Sequence, residues 1–325
     1  MEFMPDGRLL VTEKAGRLRV LTSAGTIVAN VAGVPTVDFI ESQGGLLDVE
    51  LHPQFQSNRT IYLSYVEGDS TARGIAVARA VIDLQSYRLT DVRVIWRQDP
   101  KVAADGGYGG RLLFAQDGTL FIAAGDRPVG VDASETATTL GKIIRLRDDG
   151  SIPADNPFVT TAGARPEIWS TGHRNPYGLA FDLSGRLWQN EMGPKGGDEL
   201  NLIQPGRSYG WPNVSEGIRY DDVPIPRHAT APQYVAPAIS WTPSIAPSSM
   251  IVYSGSLFVG WRGQAIITGL VSRGLVRVQL DGTTASEVQR IPLGQRIREV
   301  KEAADGSLWV LEDHPGGRLL RLTPA

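Results

Sequence analysis

Residues able to do chemistry gather in five short stretches. In Gly172-His173-Arg174-Asn175-Pro176-Tyr177-Gly178 a guanidinium stands beside an amide just before a proline. Its fork suits a planar carboxylate, which it can bond bidentately. The plainer reading is a surface arginine followed by an asparagine turn. Glu191-Met192-Gly193-Pro194-Lys195-Gly196-Gly197-Asp198-Glu199, followed by Tyr209-Gly210-Trp211-Pro212, combines carboxylates with turn carbonyls. These are hard oxygen ligands of the kind calcium prefers, or else a solvated acidic turn. Arg296-Ile297-Arg298 alternates, so on a strand both cations share one face. Such a face fits an anionic ligand or simply solvent. Gln43 sits before a glycine pair, as a donor and acceptor or as a turn residue. In Pro100–Leu112, PKVAADGGYGGRL, four glycines fall within five residues and permit close backbone approach to a ligand. The G-x-G-x-x-G spacing is absent, which leaves the dinucleotide reading weak. His173 is isolated, and without a His-x-x-His cluster a histidine-based metal site has little support.

Composition bounds the elements that must hold these loops. Across 325 residues the 37 Gly and 21 Pro are spread along the whole chain, which implies many tight turns. A net charge of −3 gives no basic excess, so nucleic acid is not an expected partner. The cysteine count of zero excludes disulfides, thiolate metal sites and a cysteine nucleophile. No apolar run is long enough for a membrane helix, and no signal peptide is visible. The chain opens at Met1 already inside a repeat motif, so a trimmed natural start is one reading of this N-terminus. Oligomeric state is not legible.

The repeat itself is a turn followed by a strand: Asp6-Gly7-Arg8-Leu9-Leu10-Val11, Asp117-Gly118-Thr119-Leu120-Phe121-Ile122, Ser184-Gly185-Arg186-Leu187-Trp188 and Asp305-Gly306-Ser307-Leu308-Trp309-Val310. Looser copies lie at Asn58–Leu63 and Ser254–Ile267. A second element, a short strand with basic residues among apolar ones, recurs at Gly16–Val20, Gly141–Leu146, Gly274–Val278 and Gly317–Leu322. Asp-Gly turns flanked by β-rich runs signal hairpins. A spacing of roughly 50–70 residues allows four strands and a functional loop per unit. About six units predict an all-β, six-bladed β-propeller forming a single domain over residues 1–325. In that fold the loops joining blades converge at one end of a central channel, where ligands are expected.

Taken together, GHRNPYG at 172–178, EMGPKGGDELNLI at 191–203, YGWP at 209–212, WTPSIAPSS at 241–249 and QRIREV at 295–300 resemble the soluble PQQ-dependent aldose sugar dehydrogenases, the glucose/sorbosone dehydrogenase family. The likeness runs from Met4 to Leu322 and implies a six-bladed propeller. It implies that Gln43 reaches cofactor and substrate, that Arg174 and Asn175 bind the quinone region of PQQ, and that Arg296 and Arg298 contact this tricarboxylate. It implies that the carbonyls of Gly193 and Pro194 hold a calcium ion beneath PQQ, and that Glu199 and Tyr209 belong to a further calcium site. A sugar substrate, an electron acceptor and a periplasmic or secreted location are implied likewise.

Two positions depart from the family. Its histidine base lies in a motif like G-H-F-G-G-R-L, and here Gly107 stands at that position, in Gly106-Gly107-Tyr108-Gly109-Gly110-Arg111-Leu112. Glycine cannot accept a proton, and a general base is worth about 10²–10⁴-fold in rate. Asp105 and Tyr108 are the nearest candidates to replace it. Ser272 falls near a lysine that some members use to hold PQQ. Three functions follow from this pattern: oxidation of aldoses or related alcohols with another base, PQQ or carbohydrate binding with impaired catalysis, or calcium-dependent hydrolysis of the lactonase type. If the missing base limits the rate, histidine restored at 107 is expected to raise dye reduction.

Overall fold

The computed structural model describes residues 1–324. Antiparallel strands build six sheets, and among the described residues helix is confined to α1 (Phe55–Asn58) and one 3-10 turn at His228–Thr230. Among the described residues no helix is long and apolar enough to cross a membrane. The chain falls into two compact units of three sheets each.

The first unit comprises Met1–Val131 and Glu135–Trp169. Its first sheet is β1 (Glu2–Phe3), β2 (Leu9–Glu13), β3 (Arg17–Leu21) and β4 (Ile27–Asn30). The second is β5 (Leu46–Leu51), β6 (Thr60–Asp69), β7 (Ala72–Asp83) and β8 (Arg88–Arg97). The third is β9 (Gly109–Phe114), β10 (Leu120–Ala124), β11 (Lys142–Leu146) and β12 (Ile168–Ser170). In each sheet the strands neighbour one another in chain order, and β5 lies against both β2 and β9.

The second unit comprises Asp132–Ser134 and the chain from Ser170 onward. Its sheets are β13 (Pro176–Phe181), β14 (Leu187–Glu191), β15 (Asp198–Leu202) and β16 (Ile239–Trp241); β17 (Pro247–Val252), β18 (Ala265–Gly269), β19 (Gly274–Asp281) and β20 (Thr284–Pro292); and β21 (Ile297–Glu302), β22 (Leu308–Glu312) and β23 (Leu319–Leu322). The first strands again stand side by side, β13 against β17 and β17 against β21. Six up-and-down sheets of this kind are the blades of a β-propeller, the fold class the repeats predict.

Packing follows from the sequence of the middle strands. β10 reads LFIAA and β11 KIIRL, and every residue of both is buried. β10, covered on both faces, is continuously apolar instead of alternating, while the buried Lys142 and Arg145 of β11 are hydrogen-bonded to Leu140 O and Asp117. Separate apolar clusters fill the gaps between neighbouring sheets, such as Leu10, Val20, Val49 and Leu63 between the first two. Each such side chain contributes about 1.5–3 kcal/mol on burial.

The two repeated sequence elements turn out to be bonded to each other. Asp117 Oδ1 accepts from the Thr119 N–H at 2.9 Å and Oγ1 at 2.7 Å, while its Oδ2 accepts from Arg145 Nη2 of β11 at 2.9 Å. Asp305 does the same with the Ser307 N–H and Oγ and with Arg321 Nη2 of β23 at 2.5 Å. The glycines that follow, Gly118 and Gly306, take φ of +80° and +81°, the left-handed region that glycine enters without a Cβ penalty. The basic residues in those strands are thus partners of the turn aspartates.

Candidate active site

The first unit holds the glycine-rich loop. The Gly107 N–H donates to Gln43 Oε1 at 2.8 Å, which places the predicted cofactor and substrate contact directly on the predicted base position. Gly107 is buried and has φ +66°. A Cβ built there would lie 2.8 Å from Pro128 Cδ, 3.0 Å from Asp126 Oδ1 and 3.1 Å from the Arg127 N. The space a side chain at 107 would need is therefore filled by the loop that follows β10.

That loop is locked to the glycine-rich one. The Gly125 N–H donates to Tyr108 O at 2.8 Å and Gln98 Nε2 donates to Gly125 O at 2.9 Å. A Cβ on Gly125 would come 2.0 Å from Gly107 O, so only glycine permits this approach. Arg127 is fully buried and donates to Gly106 O and Arg73 O, both at 2.9 Å, and to Ala104 O. Its guanidinium lies 3.7 Å from the Tyr108 ring centroid. Burial pulls the Arg127 pKa down to about 10, which leaves it a cation at neutral pH.

Both sequence-level substitutes for the base are committed elsewhere. The exposed Asp105 carboxylate pairs with the Arg73 guanidinium. The Tyr108 hydroxyl donates to Ala104 O at 3.2 Å, and burial pushes its pKa up to about 12. A phenol held that high keeps its proton at neutral pH. The carboxylate beside the predicted base position belongs to Asp126, a residue the motif reading passed over.

The second unit holds the predicted arginines. Arg174 Nη1 donates to Gly193 O at 2.7 Å and to Met192 O at 3.0 Å. Its guanidinium also stands over the rings of Trp211 and Tyr220, 5.3 and 5.9 Å from their centroids. Asn175 is buried, and its carbonyl accepts from the Met192 N–H at 3.2 Å. Arg296 and Arg298 converge on Asp313, with Nη2 to Oδ2 distances of 2.8 and 3.0 Å. Burial alone would raise the Asp313 pKa, but the two guanidinium groups outweigh it and hold the carboxyl below its ordinary range. Arg298 lies 5.6 Å from the Tyr177 ring. The Ser272 hydroxyl finds no hydrogen-bond partner.

The predicted metal ligands divide in two. Gly193 and Pro194 are buried, and the Gly193 carbonyl faces a cation, the Arg174 guanidinium. The Gly193 N–H donates to Asp198 Oδ1 at 3.0 Å. Asp198 Oδ2 accepts from Ser244 Oγ at 2.6 Å and from the Ile245 and Ala246 N–H groups at 2.8 Å. Burial nonetheless pushes the Asp198 carboxyl above its ordinary range. Glu199 and Tyr209 sit at two ends of one buried network. The Tyr209 ring stacks on His173 at 4.8 Å, and His173 Nδ1 is 3.1 Å from Glu191 Oε1. Asn201 Nδ2 then bridges Glu191 Oε1 and Glu199 Oε2, at 3.2 Å each. The Tyr209 hydroxyl is spent on Leu202 O and the Gln204 N–H.

β14 and β15 set Glu191 directly opposite Glu199. Like charges in that register repel. Burial first, and the Glu191 charge second, push Glu199 well above the ordinary carboxyl range. The polar run Gln189-Asn190-Glu191, fully enclosed on a middle strand, is the sequence signal for this network.

Arginines such as Arg174, Arg296 and Arg298 suit a polycarboxylate, and a buried pair of facing carboxylates suits a hard divalent cation. Among the described residues, however, no group of three or more carboxylate, histidine or cysteine side chains is arranged to hold a metal.

Comparison with known proteins identifies the family. Aldose sugar dehydrogenase YliI of Escherichia coli strain K12 is 40% identical over 333 residues, covering 100% of this chain and 89% of that protein. The crystal structure of the soluble aldose sugar dehydrogenase from Escherichia coli in its apo form superposes with a TM-score of 0.93 at 39% identity, over 99% of this chain and 95% of that one. The PQQ-bound aldose sugar dehydrogenase from Streptomyces coelicolor superposes with a TM-score of 0.81 at 27% identity, over 98% and 92% of the two chains. The family model described as Glucose / Sorbosone dehydrogenase matches residues 1–321. The chain belongs to the glucose/sorbosone dehydrogenase family.

Proposed function

We propose that this protein is a quinoprotein that oxidises aldose sugars, or related alcohols, to lactones with PQQ and calcium, passing the electrons to a separate acceptor. The observation that carries this reading is the arginine set of the second unit, Arg174 with Arg296 and Arg298. Guanidinium groups are the natural partners of a tricarboxylate.

In this reading Arg174 and Asn175 hold the quinone end, Arg296 and Arg298 exchange part of their bonding to Asp313 for cofactor carboxylates, and Gln43 meets cofactor and sugar. The Gly193 and Pro194 carbonyls supply calcium ligands, with Glu199 and Tyr209 at the second calcium site. Bound PQQ, polarised by calcium as a Lewis acid, would supply a two-electron acceptor for the hydride from the anomeric carbon. With calcium bound, the Gly193 carbonyl would exchange one cation for another and leave Arg174 available to cofactor carboxylates. By family resemblance the protein works in the periplasm or outside the cell.

Reconstitution with PQQ and calcium chloride, followed by a dye-linked assay on a panel of aldoses, tests the proposal. Saturable PQQ binding with sugar-dependent dye reduction is the expected result, and no binding at micromolar PQQ overturns it. A second reading, binding of PQQ or carbohydrate without turnover, is favoured by one observation: position 107 carries no base. It predicts thermal stabilisation by PQQ with no dye reduction.

A further inference from the structure

We propose that Glu191 is a positioning residue for Arg174: its carboxylate fixes the backbone from which that guanidinium reaches the cofactor. The inference rests on the quinoprotein reading above and adds to it a residue that acts through another.

The need for such an anchor starts in the sequence. Pro176 opens β13 and has no N–H to give to a ladder. It stands opposite Glu191 of β14, and the pairing of the two strands shifts between Pro176 and Gly178. Just before this proline the Asn175 carbonyl accepts the Met192 N–H at 3.2 Å. The Arg174 N–H goes to a side chain instead, donating to Glu191 Oε2 at 2.5 Å. A hydrogen bond to a carboxylate is roughly twice as strong as one between neutral groups.

The other carboxylate oxygen is held as well. Glu191 Oε1 lies 3.1 Å from His173 Nδ1 and accepts from Asn201 Nδ2 at 3.2 Å. His173 Nε2 in turn is 2.8 Å from Ser170 Oγ. Ser170, His173, Glu191 and Asn201 are all buried. The order Ser170, His173, Glu191 is that of a hydrolytic triad. Ser170 and His173 are 0% exposed, however, so that hydroxyl is closed to a substrate and the chain of bonds serves as scaffold.

Arg174 is thus gripped at both ends by three consecutive residues. Its N–H is bonded to Glu191, and its Nη1 donates to Met192 O at 3.0 Å and Gly193 O at 2.7 Å. The two grips do different work. Bonds from the guanidinium to carbonyl oxygens can be exchanged for the carboxylates of a ligand. The bond at the N–H rests on a buried carboxylate and persists whichever partner the guanidinium takes. Glu191 therefore sets where the Arg174 side chain begins, and a side chain started from a fixed point loses less freedom on binding.

A double-mutant cycle tests the assignment on wild type, Glu191→Gln, Arg174→Ala and the variant carrying both. PQQ affinity is read by fluorescence titration with calcium present, and folding by thermal melting. Glutamine fills the same space but offers one acceptor oxygen where glutamate offers two. It also removes one charge from the pair formed with Glu199, so melting should stay within a few degrees of wild type. With Arg174 present, Glu191→Gln should weaken PQQ binding about 10-fold. In the Arg174→Ala background the same change should cost less than about 3-fold. Equal losses in the two backgrounds, or no loss with Arg174 present, overturn the assignment. So does a loss accompanied by early melting, which marks a merely structural role.

The Arg174 amide supplies a readout that needs no cofactor. By NMR of the PQQ-free wild type it should exchange with deuterium as slowly as the amides of β14, and markedly faster in Glu191→Gln. Exchange in wild type at the rate of exposed loops overturns the anchor even where Glu191→Gln fails to fold. If that amide is protected but wild type binds no PQQ at micromolar concentration, the quinoprotein reading fails, and the cofactor role of Glu191 is overturned with it while its bond to Arg174 stands.

Discussion

Position 107 shows how a single backbone angle governs what chemistry a loop can carry. With φ at +66° and a would-be Cβ 2.8 Å from Pro128 Cδ, Gly107→His meets both conformational strain and collision. Left-handed backbone on a bulky residue costs about 1–3 kcal/mol before any clash. The substitution should therefore lower the melting temperature and leave dye reduction no higher than wild type, contrary to what the motif alone suggests. A stable Gly107→His protein with raised turnover would show that the loop after β10 yields easily. Arg174 is the second residue to probe. Arg174→Ala removes charge-assisted bonds worth about 1.5–3 kcal/mol, so PQQ should bind roughly 10–100-fold more weakly. Unchanged affinity in a fluorescence titration would remove this arginine from the cofactor site. The sequence exposed Arg174, Arg296 and Arg298 because short motifs carry them. It did not expose Asp126 as a neighbour of Gly107, since that contact depends on two loops meeting after β9 and β10 have paired, a relation no local pattern encodes.

At the level of elements, β14 and β15 carry the main electrostatic conflict of the second unit. Their register faces Glu191 with Glu199 inside a buried polar network. Glu199→Gln keeps the shape and the bond to Asn201 while removing one negative charge. Without added metal, this variant should melt higher than wild type. Calcium should raise the melting temperature of wild type by more than that of Glu199→Gln, which keeps the Gly193 and Pro194 carbonyls. Equal calcium responses from the two proteins would place the ion elsewhere. The strands were largely legible, because Asp-Gly turns and β-rich runs mark hairpins locally. Their register was not, since pairing of β14 with β15 is set by the turn geometry between them and by what each face must bury. The acidic residues could be read as metal ligands, but not as a cross-strand pair.

At the scale of the whole molecule the turn aspartates tie stability to pH. Asp6, Asp117, Asp149, Asp182 and Asp305 all accept a hydrogen bond from a backbone N–H two residues on. All five have lowered pKa values; in Asp305 the Ser307 hydroxyl is the chief cause and the value falls to about 2. A carboxyl depressed on folding adds stability above its unfolded pKa and loses it as pH falls through the folded one. Acid unfolding should therefore steepen between about pH 4, near the unfolded aspartate value, and about pH 2, where Asp305 titrates. Asp305→Ala should cost about 0.5–1.5 kcal/mol at pH 7, the net worth of one such hydrogen bond. Circular dichroism melts against pH measure both, and a variant whose deficit persists unchanged at pH 2 would disconnect the turns from the acid transition. The fold class was readable at this scale because the same physical device recurs from sheet to sheet.

The approach of Gly125 to Gly107 has an evolutionary consequence. A Cβ at 125 would fall 2.0 Å from the Gly107 carbonyl, and one at 107 would fall on Asp126 and Pro128. Neither position can change first without damage, so descent from or toward a histidine-bearing ancestor must proceed by linked replacements. Residues 107 and 125–128 should therefore behave as one block, and shuffling the two loops separately between relatives should yield mostly defective hybrids.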